Sequence, residues 1–296
     1  MSDVFTERLN NYVKMINSAL ERYKYSELEG CDLQEKIIEA MWYTLCAGGK
    51  RIRAVLVCDF CRMCGGNIHN ALTAACAIEM IHAFSLIHDD LPFMDNDDFR
   101  RGKPSCHKAF GEAAALLAGD ALENKAYEII ANDENLTNEV KVNLIRCLTE
   151  AVGVKGMIGG QVIDTDFSDK MDSVKKLVGM YRMKTGALIS AACKMGCICA
   201  GAYNKLSAAE NYGYNLGTAF QVVDDILDVI SSGDVLGKPI GSDKLNEKNT
   251  FVSICGLKKS QDYAAEFTNQ AFDFLSEFDD NEFMCQLTAY LLKRNK

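Results

Sequence analysis

Apolar residues in this chain recur every three or four positions. Ile37, Ile38, Met41, Trp42 and Leu45 form one such row, and Leu72, Ala75, Cys76, Met80, Ala83 and Ile87 form another, with Glu79 in its line. That spacing places each row on one face of a helix, whereas the two-residue alternation of a half-buried strand is scarce. Little interrupts the pattern: Pro92, Pro104 and Pro239 are the only prolines in 296 residues, and proline is the residue that most reliably stops a helix. A chain of this length with 48% hydrophobic residues can bury a large core. No linker rich in proline, serine or charge divides it, and no short repeat recurs. The reading is a single all-α domain over residues 1–296. Helix starts are expected at Asp32 with Glu35 and at Ser207 with Glu210, each a side-chain cap answered by a glutamate three residues later. Breaks are expected at Gly48 with Gly49, Gly65 with Gly66, Leu91 before Pro92, Ser168 with Asp169, and between 231 and 237.

Charge and cysteine content exclude several classes. The net charge of −9 argues against a nucleic-acid partner, so an anionic ligand would need local positive charge working against the overall field. The first fifteen residues have no apolar signal core and are too acidic for a transit peptide. The charge-free stretch at 211–223 falls short of the ~20 apolar residues that span a bilayer. The expectation is a cytoplasmic protein without a membrane span. Thirteen cysteines, an odd number in a long chain, suit a reducing compartment, and no disulfides are expected. Cys58, Cys61 and Cys64 form a C-x2-C-x2-C run, but on one helix the thiols splay over about 120°, too far apart to converge on one ion. Core packing is the expected role.

Acid is concentrated in two places. The segment "SLIHDDLPFMDNDDFRRGKPSCH" at 85–107 holds Asp89, Asp90, Asp95, Asp97 and Asp98 within ten residues, followed at once by Arg100 and Arg101. Pro92 should end the preceding helix near Leu91, leaving Asp89 and Asp90 in its last turn, where the helix dipole disfavours carboxylates. Two ionised carboxylates about 5 Å apart repel by roughly 3 kcal/mol at an effective dielectric near 20, for which a bound cation is the usual remedy; the alternative is a solvated acidic loop. The segment "FQVVDDILD" at 220–228 echoes it. Asp224 and Asp228 are four apart and share a helix face, with Asp225 about 100° around. An all-oxygen donor set without cysteine or histidine favours Mg²⁺, which takes one or two carboxylates and completes its shell with water and substrate phosphates.

Basic residues form separate groups. In "GGKRIRA", two glycines precede Lys50, Arg51 and Arg53 at an expected helix start, a place that attracts anions; alternatively the glycines only cap the previous helix. Lys184 and Thr185 sit in an otherwise apolar helix, and Lys238 lies ten residues past Asp228. Two acidic ends with several cation groups suit a site for two diphosphates, one of them bridged by metal.

Taken together, "GGKRIRAVL", "IHAFSLIHDDLPFMDNDDFRRGKPSCH", "GEAAALLAGDAL", "GGQVIDTDF", "KTGALI", "FQVVDDILDV" and "LGKPIGSD" resemble the trans-isoprenyl diphosphate synthases, and most of all the bacterial farnesyl diphosphate synthases. The resemblance runs from about residue 35 to 255. It implies an antiparallel helical bundle around a deep central cavity, with the two aspartate clusters facing each other at its mouth, and pairing as a homodimer. It also implies that Asp89, Asp95 and Asp224, helped by Asp90 and Asp228, hold Mg²⁺, three ions when an allylic diphosphate is bound. Arg100, Lys184, Thr185, Gln221 and Lys238 would contact that diphosphate. Lys50, Arg53, His82 and Arg101 would take the diphosphate of isopentenyl diphosphate. The implied reaction couples isopentenyl diphosphate head-to-tail to dimethylallyl or geranyl diphosphate, giving farnesyl diphosphate.

Product length is expected to be set at the cavity floor. Phe84 lies five residues before Asp89, about 7.5 Å deeper on the same helix. In similar enzymes an aromatic there, together with a D-D-x4-D spacing, accompanies a fifteen-carbon product; the small Ser85 beside it leaves a twenty-carbon product as the alternative. Other readings are weaker. A di-iron bundle is suggested by Glu79 and His82, but such sites need two E-x-x-H pairs and two more glutamates. A phosphohydrolase built on His88 and Asp89 lacks further histidine ligands. A silent partner subunit would be expected to have lost an acidic cluster, and a terpene cyclase would not need "GGKRIR". The basic ending "YLLKRNK" is expected to close over bound diphosphate.

Overall fold

The computed structural model describes residues 3–24, 34–167, 170–235 and 249–292. They are almost wholly helical, as the periodicity predicts. Three helices open the chain: α1 (Asp3–Glu21), α2 (Glu35–Leu45) and α3 (Ile52–Met63). The long α4 (Ile68–Asp89) is followed by a tiny hairpin, Phe99–Arg100 against Lys103–Pro104, and by α5 (Cys106–Phe110), α6 (Glu112–Asn132) and α7 (Asn138–Val152). Then come α8 (Met157–Asp166), α9 (Val174–Tyr181) and α10 (Ala187–Cys199), the last two joined by a π-helical turn at Arg182–Gly186. The remainder comprises α11 (Leu206–Val235), α12 (Phe251–Cys255), α13 (Leu257–Leu275) and α14 (Glu282–Leu292).

α4 and α10 form the centre because they are apolar on every side, the pattern of a helix surrounded by protein. Almost every residue of α10 is buried. α3 packs against both, α6 covers α4, α11 covers α10, and α13 covers α11. α4 and α6 run antiparallel: the His88 ring lies 3.0 Å from the Leu116 carbonyl at one end, and Thr73 donates to Asp133 at the other. By length and composition α4 could cross a membrane, which the charge-free stretch at 211–223 did not signal. In the fold most of α4 lies inside the bundle, so its hydrophobicity is that of a core helix. A smaller apolar cluster joins α9, α11, α12 and α13 around Tyr181, Val222, Phe251 and Phe267. Phe272 and Phe274 of α13 pack against the main cluster.

Some local expectations change. α11 begins at Leu206, directly after a single 3-10 turn at Tyr203–Lys205, so Ser207 lies inside the first turn rather than capping it. It also continues past 231 to Val235, through Gly233, since a single glycine costs a helix only about 1 kcal/mol and no proline follows before Pro239. Asp32 and the expected break at 168–169 lie outside the described residues. Of the three spaced thiols, Cys58 is buried in the core, Cys61 points to the Asn67 carbonyl at 3.6 Å, and Cys64 donates to the Cys197 sulfur at 3.7 Å. They serve different neighbours, as their splay on one helix requires.

A polar hub ties α1 to α3. Asp59 is fully buried, and its Oδ1 accepts from Arg8 (2.6 Å), the Tyr12 hydroxyl (2.7 Å) and Arg62 Nε (2.9 Å). Arg62 extends the link to Asp280, just before α14. Burial, with Asp59 close by, pushes the Tyr12 phenol well up, so it stays a donor. Removing one partner of a buried ionic group leaves the others desolvated and unpaired. Asp59→Ala is therefore expected to cost about 3 kcal/mol, read in urea unfolding as a lower midpoint at unchanged slope.

Candidate active site

α4 ends at Asp89, with Asp90 as its cap residue, one turn before Pro92. The chain then folds back on itself: the Met94 and Asn96 amides donate to the Leu91 carbonyl (2.8 and 3.1 Å), and the Asp95 amide donates to the Asp89 carbonyl at 2.8 Å. Asn96 takes the left-handed conformation the reversal needs, φ 53°. Asp95 is thereby brought close to Asp89. Burial pushes the Asp89 carboxyl up to about 6; Asp95 and Asp90 add to the rise, while Lys184 and Arg100 oppose it. A desolvated carboxylate beside a second one is the environment a bound cation relieves.

Asp90 behaves differently from its neighbour. It is 2% exposed, and both carboxylate oxygens accept from Arg100 Nε (3.0 and 3.2 Å), with the Arg100 Nη2 also on Oδ1. It anchors Arg100, which also reaches Asp97 at 3.3 Å. The hairpin makes this reach possible. Its two-residue loop, Arg101 and Gly102, has positive φ at both positions (53° and 76°), the turn that matches strand twist. Arg100 is directed at Asp90, and Arg101 donates to the Gly48 carbonyl. A side chain on Gly49, whose φ is 128°, would meet the Arg101 guanidinium at 2.9 Å. The glycine pair thus seats Arg101.

On α11, Asp224 is half-buried and Asp228 exposed. Asp225, a third of a turn away, accepts from the Tyr181 hydroxyl (2.7 Å) and the Phe251 amide (2.9 Å). Burial pushes its carboxyl up to about 6. Its role is to hold α9 and the start of α12 against α11.

Between the acid groups lies the π-helical turn. Lys184 donates to Asp164 of α8 at 2.6 Å, and the Thr185 hydroxyl donates to Gln221 Oε1 at 2.7 Å. Lys184 is also the foremost charge opposing the rise at Asp89, so one ammonium serves both sides. π-turns of this kind recur at functional sites because the extra residue redirects side chains. α8 approaches the turn so closely that a Cβ on Gly160 would overlap the Lys184 amide. Sequence reasoning did not single out Asp164 or Gln161. The signal was present in "GGQVIDTDF": two glycines, then polar residues three apart on one helix face.

The end of α4 and the turn after it, with α6, α8 and the π-helical turn, border a cavity of about 620 Å³. Arg53, His82, Asp89, Gln161, Lys184 and Thr185 line its polar end, and Phe84, Ser85, Leu116, Met157, Ile158 and Leu188 line the rest. Arg53 Nε and Gln161 Nε2 are buried without a hydrogen-bond partner among the described residues. Buried donors without acceptors are costly, and an anion accepting from them would satisfy both. Burial, reinforced by Arg53, Arg101, Arg51 and Arg100, pushes the His82 imidazole well down. Lys50 lies apart, its ammonium 4.6 Å over the Tyr290 ring. Arg51 is structural, donating to Asn17, Glu79 and the Leu45 carbonyl (2.9, 3.3 and 2.7 Å). Glu79 also accepts from the Ala54 amide (3.2 Å), so it closes the start of α3 instead of pairing with His82 on a metal. Among the described residues no three His, Cys, Asp or Glu side chains converge as a ready metal cage; the donors present are carboxylates that share an ion with phosphate. Lys238 and residues 294–296 lie outside the described residues.

A model of the polyprenyl synthetase family matches residues 34–288. The chain belongs to that family. It is 43% identical over 265 residues to a farnesyl diphosphate synthase from Micrococcus luteus, covering 89% of this chain and 91% of that protein. It is 41% identical over 263 residues to a geranylgeranyl diphosphate synthase from Cyanophora paradoxa, covering 88% of each. In structure it is similar to an FPP/GFPP synthase from Zymomonas mobilis, with a TM-score of 0.85, 32% identity, and coverage of 99% of this chain and 100% of that one. This polyprenyl synthetase is accordingly a prenyltransferase acting on isoprenoid diphosphates, built on the all-α fold of its relatives.

Gly160→Ala is expected to displace the Lys184 backbone. Because misplacing a reacting group by about 1 Å costs about 10²-fold, prenyl transfer should fall by about that factor. Steady-state rates at saturating substrates would show this, with circular dichroism confirming an intact helical fold.

Proposed function

We propose that this prenyltransferase makes farnesyl diphosphate, condensing isopentenyl diphosphate with dimethylallyl and then geranyl diphosphate. The observation that carries the reading is a cavity with Asp89 and the unpaired donors of Arg53 and Gln161 at its polar end and the 5%-exposed Phe84 among its apolar lining. Asp89 and Asp95 on one side, and Asp224 with Asp228 on the other, would hold Mg²⁺, three ions with the allylic diphosphate in place; Asp90 contributes by fixing Arg100. When bound, the ions neutralise charge accumulating on the departing diphosphate. Arg100, Lys184, Thr185, Gln221 and Lys238 receive that diphosphate, while Arg53, His82 and Arg101 receive the diphosphate of isopentenyl diphosphate; Lys50, whose ammonium rests over the Tyr290 ring, would have to swing away from it to join them.

The chain's own residues then do three things. Lys184 and Arg100 stabilise developing negative charge as the allylic carbon–oxygen bond breaks. Arg53, Arg101 and His82 hold the second substrate so that its double bond faces the allylic carbon. The apolar wall of Met157, Ile158 and Leu188 keeps water from the cation. A carbon–carbon bond forms, and the proton lost from the condensed product passes to the released diphosphate. The chain is proposed to act as one cytoplasmic domain and as a homodimer, a state supported by the exposed Leu117 of α6 and Val142 of α7. A twenty-carbon product is the second reading, favoured by the small Ser85 beside Phe84 and by the geranylgeranyl relative.

Incubation with labelled isopentenyl diphosphate, dimethylallyl diphosphate and Mg²⁺ tests the reading by product chromatography. A fifteen-carbon product is expected, abolished by EDTA and restored by Mg²⁺. Asp89→Ala should lower the rate about 10³-fold, the scale for losing one preorganised electrostatic partner. Phe84→Ala should lengthen the product. A twenty-carbon product from the wild type would favour the second reading, and no Mg²⁺-dependent condensation would refute both.

A further inference from the structure

The cavity has a polar residue where a hydrocarbon tail would be expected to meet only apolar ones. The contacts of His88 with Leu116 and of Thr73 with Asp133 set the register of the antiparallel α4 and α6. With the contacts of His88 to Gly119 and Asp120 included, the residue numbers of facing positions add to between 204 and 208, so Glu123 stands level with the turn from Ile81 to Ser85 that carries Phe84. It lines the cavity and is half-buried. On α6 it continues the face of Leu116 and Asp120, four and then three residues apart, and is the deepest of the three. Asp120, at 59% exposure, is at the rim with the His88 ring 3.7 Å away. One turn below Glu123 is the half-buried Tyr127, so the polar column continues downward beyond the cavity.

The other side of the floor is held firmly. The Phe84 ring meets the His88 ring edge to face, centroids 5.1 Å apart, and a side chain on Gly119 would overlap the His88 imidazole. Phe84 thus blocks the α4 side by bulk. The α6 side is guarded by a carboxylate. A tail growing past the depth of Phe84 along α6 would have to cover Glu123 and strip its remaining water, and desolvating a carboxylate without supplying a partner is strongly unfavourable. The burial already present pushes the Glu123 carboxyl up, with Asp120 adding to the rise and His88 opposing it, which agrees with a group partly removed from solvent.

We infer that Glu123 is a specificity-determining residue, whose polarity stops the prenyl tail on the α6 side as the bulk of Phe84 stops it on the α4 side. The inference rests on the proposed chain-elongating reaction. It separates polarity from size, because leucine is no smaller than glutamate but can be covered by hydrocarbon without an electrostatic cost.

The test sizes the products of the wild type, Glu123→Leu, Glu123→Gln and Glu123→Ala made with isopentenyl and geranyl diphosphates and Mg²⁺. The rate of the first condensation, from dimethylallyl diphosphate, and the helical circular dichroism serve as controls for folding. Glu123→Leu is expected to raise the ratio of twenty- to fifteen-carbon product about tenfold, equivalent to about 1.4 kcal/mol. Glu123→Gln, still polar, should move it less, and the first condensation should stay near the wild-type rate. A steric floor predicts the opposite ranking, lengthening only in Glu123→Ala, and that result overturns the inference. An active wild type whose Glu123→Leu keeps the same product distribution also overturns it while leaving the functional reading intact. A wild type unable to condense these substrates overturns both together.

Discussion

Repulsion between carboxylates at the mouth of the cavity is the constraint around which the surrounding structure is arranged. Asp89 and Asp90 close α4, where the helix dipole already disfavours negative charge, and the turn after Leu91 adds Asp95 to them. Each acid receives a different answer. Asp90 is neutralised inside the protein by the fork of Arg100. Asp225 is satisfied by Tyr181 and the Phe251 amide. Asp89 is left with burial and only the distant influence of Lys184 and Arg100. The acids that are satisfied internally build the scaffold, and Asp89, desolvated beside a second carboxylate, is the one that lines the cavity.

Cationic groups divide in the same way. Arg51 is fully used in joining α1, α2 and α4 at the start of α3, whereas Arg53, two residues on, enters the cavity with an unpaired donor. The π-helical turn is what lets Lys184 and Thr185 leave an otherwise buried helix: Lys184 meets Asp164 and Thr185 meets Gln221. Small residues permit these approaches. Gly160 lets α8 lie on the turn, and Gly49 lets Arg101 lie on the "GGKRIR" loop. An internal ion pair such as Lys184 with Asp164 adds little net stability once desolvation is counted; its evident effect is to fix the ammonium between the acid groups. Apolar packing of α3, α4, α10 and α11 supplies the rigidity that such placement requires.

Much of this was legible in the residues. Three- and four-residue periodicity and the near absence of proline specify an all-helical chain, and the breaks at Gly48, Gly65 and Pro92 fall where the helices end. The i, i+4 pair Asp224 and Asp228, the crowded acids after Ile87 and the quoted sequence blocks were enough to identify the chemistry. These signals are local, set by backbone geometry and by side-chain types a few residues apart, and so they survive without knowledge of the fold.

What tertiary structure alone decided is which chemically similar residues face the cavity and which are used up inside the fold. Nothing local distinguishes Asp90 from Asp89 or Arg51 from Arg53; each pair differs by about 100° or 200° of rotation about a helix axis, and only the position of neighbouring helices makes one direction cavity and the other core. The membrane-like hydrophobicity of α4 resolves for the same reason, since α3, α6 and α10 enclose it. The contributions of Asp164 and Gln161, and the level at which Glu123 meets Phe84, depend on the register between helices far apart in sequence. Sequence by itself determined the fold class and the reaction; packing between helices assigned the roles, because burial and facing are properties of pairs of elements and not of any one of them.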